Sequence, residues 1–542
     1  MLVPVLIYIR IPCRIDPERH FNATILTAVM FWIVLPFVWM CRDILGRLIG
    51  NGLVIAYCVL SLIPYRFFVK TTEDWCERYV HGQTIAGYPA YVLPLGIIVL
   101  AMGISALFLK LRKIALFPES RKTYLILIAL LVLATVQVIP RMGNNSPKSV
   151  AGNWQKPETP YHRSVFEGYR YGGWDHPIHM VPGALYRGAD VSGERYLLVI
   201  NRRSFGHYWH SLFAPLMNPY NAAISINLFL FFLVLALSFR FGKKLGLSTF
   251  QSVLFPILLS ANHRLLWATD IPYFYMPYYL GSWLLLWALY KYNPFEGSFK
   301  QKLLFAGSTL WVATTYDPMF LTMVLFAWGL LRWRVTHLKG TVVHFAGTVG
   351  LAAVPTVTQT LFGALLTALH MEGSTRDVVQ RNLLGQKLVQ LPSYIVHDTW
   401  EFLTMLDRNV IQIGVINRTN TNEIEYWSIL GMLGVIALFA VLPRYIKKRP
   451  FNDMLVFILC SVAIQVLVSL ADNIPPKNIF DTQMLRPDKI QGTIIMVLAQ
   501  TLGICFVVER LLQRSPIVVQ RVAISALIAI IWLLSFGRLY LS

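Results

Sequence analysis

Between Ile271 and Tyr290 the chain carries no charged residue, and stretches of this kind recur along its whole length. A run of about 18 or more apolar residues can cross the hydrocarbon core of a bilayer as a helix. Runs near this length fall at roughly 22–41, 49–68, 89–109, 123–140, 221–240, 247–263, 271–290, 303–316, 318–331, 341–369, 426–443, 454–471, 490–508 and 518–537, which gives about thirteen or fourteen spans. Hydrophobic residues make up 56% of the sequence and charged residues 14%, with a mean hydropathy of +0.55. A soluble fold would need more polar surface than 542 residues of this composition supply. The expected class is an all-α polytopic membrane protein, with two long outward-facing loops that carry interfacial helices.

The apolar run Leu2–Ile9 has no basic segment before it, and Arg10 and Arg14 follow it. It reads as an interfacial or loosely held N-terminus rather than a signal peptide. Six cysteines form no motif: Cys41, Cys58, Cys460 and Cys505 fall in the spans, Cys13 and Cys76 outside them. In the spans a small apolar side chain is the simple reading.

The net charge of +21 is not a nucleic-acid footprint, because of where it lies. Seven short segments, 42–47, 110–122, 240–244, 291–302, 332–339, 444–453 and 509–521, hold 23 Lys and Arg against five acids. The other basic residues, 25 in all, are matched by 22 acids. An excess of Lys and Arg on short loops marks the cytoplasmic face. The long loops 141–220 and 370–424 then face outward, dividing the chain into N-terminal spans 1–122, a core 123–424 and C-terminal spans 425–542.

Two acids stand alone in this apolar sequence. Asp270 heads the run 271–290, and Asp317 is the single charge between Leu303 and Leu331. An ionisable group at membrane depth is costly and marks a functional site by default. Both ends of the Asp317 stretch are basic, so it crosses the membrane twice, and one helix of its length would run about 43 Å, longer than needed. A hairpin breaking at Asp317-Pro318 is expected, since proline disfavours helix in the residue before it. The same parity puts Asp270 at an outer turn. Each aspartate is a site residue or a helix cap at the membrane boundary.

The first long loop concentrates aromatic and ionisable residues: Tyr169-Arg170-Tyr171-Gly172-Gly173-Trp174-Asp175-His176-Pro177-Ile178-His179. Asp175 is displayed beside a glycine pair that permits a tight turn. His176/His179 and His207/His210 repeat a three-residue spacing, and with Asp175 they could hold a divalent metal ion. Alternatively they are interfacial polar residues among aromatics, and Pro177 argues against helix in the first pair. Residues 196–216 read as one or two helices in the interface. In the second long loop, Val378, Val379, Leu383, Leu384, Leu388 and Leu391 recur at helical spacing with Arg376, Arg381 and Lys387 between them. Arg376 and Arg381 could clamp a lipid phosphate, or simply form a solvated face. Arg486, in the last outer loop with Lys477 and Lys489, is a second such candidate. Asn22, Asn144 and Asn417 match the short glycosylation pattern, which carries no meaning in a bacterium.

Asp175 in the first long outer loop, Asp270 and Asp317 in the following outer turns, and a second long loop after six spans form a recognisable order over residues 123–424. It resembles the GT-C superfamily of integral membrane glycosyltransferases. The resemblance implies a polyprenyl-phosphate sugar donor, with Asp175 as the general base for the acceptor hydroxyl. It implies that Asp270 and Asp317 hold the donor sugar or a metal. Arg376, Arg381 or Arg486 would neutralise the leaving phosphate. The lipid carries the activated group, so no nucleotide-binding loop is needed, and neither GxGxxG nor a P-loop occurs. Expected partners are the lipid-linked donor, membrane lipids and an acceptor that is a glycan, lipid or protein, without nucleic acid. The expected location is a bacterial inner membrane. A multi-pass transporter or lipid flippase, an outer-face polysaccharide ligase or polymerase, and a non-catalytic envelope scaffold are the competing readings. A transporter would be expected to show repeated halves, and none is visible.

Overall fold

The computed structural model describes residues 17–62, 92–114, 121–144, 219–244, 247–260 and 318–335 continuously, and individual positions within 208–213, 265–299, 350–364, 456–464 and 503–529. Among the described residues the secondary structure is helical, with no strand. Seven helices have defined bounds: α1 (Pro17–Leu45), α2 (Arg47–Leu62), α3 (Val92–Leu111), α4 (Arg121–Asn144), α5 (Pro219–Lys244), α6 (Thr249–Ser260) and α7 (Pro318–Val335). Each coincides with one of the apolar runs of the sequence.

The helix ends follow from local chemistry. α1 turns into α2 through Gly46, whose φ of 85° suits a residue without a Cβ. Gly50 then lies directly against the backbone of Arg42, the close approach that small residues allow between apolar helices. α3 closes with paired bonds: Ile114 N–H donates to the Leu109 carbonyl at 2.9 Å and Lys113 N–H to that of Lys110 at 3.0 Å. That is the six-to-one and five-to-two pattern that satisfies orphan carbonyls, with Lys113 in the left-handed region at φ 53°. α6 opens on a capping box. The Gln251 N–H donates to Ser248 Oγ at 3.3 Å, and the Ser248 N–H donates back to Gln251 Oε1 at 3.0 Å. α7 begins at Pro318, where a missing N–H costs nothing.

α5 forms the centre of the bundle. From Ser225 to Gly242 nearly every side chain is buried, with α4 and α6 packed along it and α1 touching it. α2 packs between α1 and α3. The basic helix ends gather on one side of this bundle. Arg240 Nε donates to the Ile44 carbonyl at 2.7 Å, Ser105 Oγ donates to the Leu48 carbonyl at 3.0 Å, and the Tyr124 hydroxyl abuts Gly46. Segments 42–47, 110–114, 121–124 and 240–244 thereby come to a common end.

The described residues of 269–287 run parallel to α5. The Thr269 carbonyl accepts from Asn227 Nδ2 at 3.3 Å, whereas Trp283 packs edge-on against Phe241 with centroids 4.8 Å apart. Thr269 is therefore at the end of α5 away from the basic residues.

Two helical stretches, Arg121–Val138 and Ser225–Lys244, are long and apolar enough to cross a membrane. Their surroundings differ. Ser225–Lys244 is enclosed by protein, while α4 presents Leu125, Ile128, Val132 and Val136 as an exposed stripe. α3 does the same with Val99, Leu100, Ile104, Leu107, Phe108 and Leu111. Water-facing surfaces rarely carry apolar patches of this extent. The other expected spans are described at scattered positions or lie outside the described residues, as do the 424/425 boundary and most of the two long loops, while the 122/123 boundary falls within α4.

Candidate functional site

At the end of the bundle away from the basic residues, buried polar side chains tie neighbouring helices together. The carbonyl of Ser260, the last described residue of α6, accepts one such bond. Gln137 of α4, itself buried, donates to it from Nε2 at 3.1 Å. Asn227 does the same for Thr269 from the first half of α5. Each bond ties one helix to a neighbour, and a buried Gln or Asn donor left without a partner would cost about 1–3 kcal/mol.

Between residues 145 and 218 the structure describes Tyr208, Trp209, Leu212 and Phe213. Tyr208 and Trp209 are helical, and Leu212 N–H turns back to the Trp209 carbonyl at 3.1 Å. The Tyr57 hydroxyl of α2 donates to the Phe31 carbonyl of α1 at 3.1 Å. Its oxygen is therefore the acceptor for Tyr208, whose hydroxyl lies 2.8 Å away. Ser61 Oγ stands 3.5 Å from the same Tyr208 oxygen. Phe31 stacks on Tyr57 at 5.3 Å, and Phe213 stacks on Phe229 of α5 at 6.0 Å. Tyr208, Trp209, Leu212 and Phe213 are all buried. Most of 196–216, read from the sequence as one or two interfacial helices, lies outside the described residues; the four described aromatic and aliphatic side chains pack between α2 and α5, where the buried Tyr208 hydroxyl has a partner.

Between this segment and the bundle is an apolar cavity of about 60 Å³, lined by Phe37, Tyr57, Trp209, Phe213, Leu230 and Leu284 among others. Its lining offers almost nothing for a hydrogen bond, so water gains little by entering.

The residues expected to carry chemistry, Asp175, Asp270, Asp317, Arg376, Arg381 and Arg486, lie outside the described residues, as do His176, His179, His207 and His210. Among the described residues no group of three or more His, Cys, Asp or Glu side chains could hold a metal, a statement that reaches none of these four histidines. What the structure fixes is their chain neighbours. Tyr208 follows His207, Thr269 precedes Asp270, and Pro318, the first residue of α7, follows Asp317. Two of these neighbourhoods meet on one stretch of α5, through Phe213 on Phe229 and Thr269 on Asn227. Gln137, Asn227 and the Tyr57–Tyr208 pair were not singled out in the sequence. The available signal was a lone polar residue inside an apolar run, as with Asn227 in Ile226-Asn227-Leu228.

No family model, characterised protein or solved structure matches this chain.

Proposed function

We propose that this chain is a multi-pass membrane glycosyltransferase of the GT-C kind in a bacterial inner membrane, moving a sugar from a polyprenyl-phosphate donor to an acceptor on the outer face. One observation carries most of the support. The loop segment that follows His207 and the residue that precedes Asp270 pack on the same Asn227–Phe229 stretch of α5, away from the gathered basic ends. With Lys and Arg excess marking the cytoplasmic side, that stretch belongs to the outer half of the membrane. The exposed apolar stripes of α3 and α4 support the lipid environment itself.

In this reading the Asp175 carboxylate takes the proton of an acceptor hydroxyl while that oxygen bonds to the anomeric carbon of the donor sugar. The bond from that carbon to the phosphate oxygen breaks, and the phosphate leaves with the electron pair. Arg376, Arg381 or Arg486 stabilises the charge it gains. Asp270 and Asp317 hold the sugar hydroxyls or a divalent ion. Such an ion, with His176, His179, His207 and His210 as the other candidate ligands, would supply additional charge stabilisation at the phosphate.

The test is a transfer assay with the purified full chain in vesicles containing a polyprenyl-phosphate sugar labelled in the sugar. The expected result is loss of label from the lipid with release of polyprenyl phosphate. Movement of intact lipid-linked sugar between leaflets, with no bond broken, would instead establish a flippase. Activity unchanged after prolonged chelation would remove the divalent ion from the mechanism.

A further inference from the structure

The gathered basic end adjoins exposed apolar surface. Segments 42–47, 110–122 and 240–244 hold ten Lys and Arg against two acids, Asp43 and Glu119. Arg47, Lys110, Arg112, Lys113, Arg121 and Lys122 are exposed. Tyr124 at the start of α4 abuts Gly46 of the α1–α2 turn, and Ser105 in the second half of α3 bonds Leu48 in the first turn of α2, so the chain beyond it leads to the same side. α4 has no acidic residue in its first turn, so the positive end of its dipole adds to Arg121 and Lys122. Arg112 lies over the ring of Phe108, 4.8 Å from its centroid, and Phe108 belongs to the exposed apolar stripe of α3. A guanidinium held over a lipid-facing aromatic ring is positioned where headgroups meet acyl chains.

We infer that the rim formed by the end of α3, the α1–α2 turn and the start of α4 is a binding site for an anionic phospholipid of the cytoplasmic leaflet. Its phosphate is met by Arg112, Lys113, Arg121 and Lys122, and its chains lie along the stripes of α3 and α4. The apolar stripes select a lipid over a free anion. The site is on the opposite side of the membrane from the proposed transfer chemistry, and it rests only on the membrane part of that reading. Basic side chains at a membrane surface each strengthen association with anionic lipid, by about fivefold per charge.

The experiment reconstitutes the full chain in phosphatidylcholine vesicles and compares its association with spin-labelled phosphatidylglycerol and spin-labelled phosphatidylcholine. Wild-type protein should prefer phosphatidylglycerol by about fivefold or more. Neutralising Arg112, Lys113, Arg121 and Lys122 to Gln should abolish the preference and leave phosphatidylcholine association unchanged. Neutralising Arg514 and Arg521 to Gln should leave it intact. Equal losses in the two variants would mean general charge attraction and overturn the site. So would competition by inorganic phosphate alone at matched ionic strength. A chain that fails to float with vesicles overturns the membrane reading and the site together. One that floats but shows no preference overturns the site alone.

Discussion

Asp175→Asn should abolish sugar transfer from the polyprenyl-phosphate donor while leaving the protein folded and in the membrane. The amide keeps the size and most of the hydrogen-bonding shape of the carboxylate but cannot take a proton from the acceptor. General-base assistance typically contributes about 100- to 10,000-fold in rate, so residual turnover should fall by at least that lower bound. Asp270→Asn and Asp317→Asn, which in this mechanism bind rather than abstract, should weaken donor binding as well as turnover. The contrast between the three variants separates a base from a binding group, because loss of uniform binding raises KM while loss of the base lowers kcat. Full activity in Asp175→Asn would remove that residue from the mechanism.

Gly50→Ala should be among the most damaging single substitutions in the described part of the bundle. A Cβ at this position would fall on the Arg42 Cα, with the Arg42 nitrogen 2.7 Å away. Neither atom can swing aside, since both belong to the backbone of α1. The helices must separate, and the α1–α2 interface must repack around the gap. Overpacking of this kind costs about 3 kcal/mol or more. Gly103→Ala is the matched control: a Cβ there meets nothing within 4 Å. Alanine in the middle of α3 should then be neutral or stabilising by about 0.5–1 kcal/mol. Thermal melting of the two variants in detergent checks both expectations. Equal stability of Gly50→Ala and wild type would mean that α1 and α2 do not approach as described.

The helical character of the described residues was legible from run length alone, because a chain in lipid must satisfy its backbone internally. A boundary was legible at Pro318, where proline sets it, whereas the Gly46 turn and the Ser248–Gln251 capping box were not singled out. Which helix is enclosed and which faces lipid was not legible. α4 and α5 are both apolar throughout, and lipid tails are as apolar as leucine side chains, so hydropathy does not distinguish their surroundings. Only the structure shows α5 buried and the Leu125–Val136 stripe exposed. The placement of Tyr208 was hidden for another reason. Its partner Tyr57 is 151 residues away, and no local pattern announces such a pair.

For the candidate site, charge counting assigned Asp270 and Asp317 to one face, and both residues lie outside the described ones; Thr269, beside Asp270 in sequence, bonds to Asn227. Convergence of these acids with Asp175 depends on loop conformation, which neither spacing nor hydropathy encodes. The alternation of charge gives a side of the membrane, not a distance.

Sidedness is the claim on which the rest depends, and a labelling experiment reads it directly. In a chain with its six cysteines replaced by serine, single cysteines are introduced as Asp175→Cys, Ala261→Cys and Lys113→Cys. Intact cells are then treated with a membrane-impermeant maleimide. The first two variants should be labelled from outside and the third only after the membrane is opened. Labelling of Lys113→Cys in intact cells, with Asp175→Cys protected, would invert the topology and contradict an outward-facing transferase.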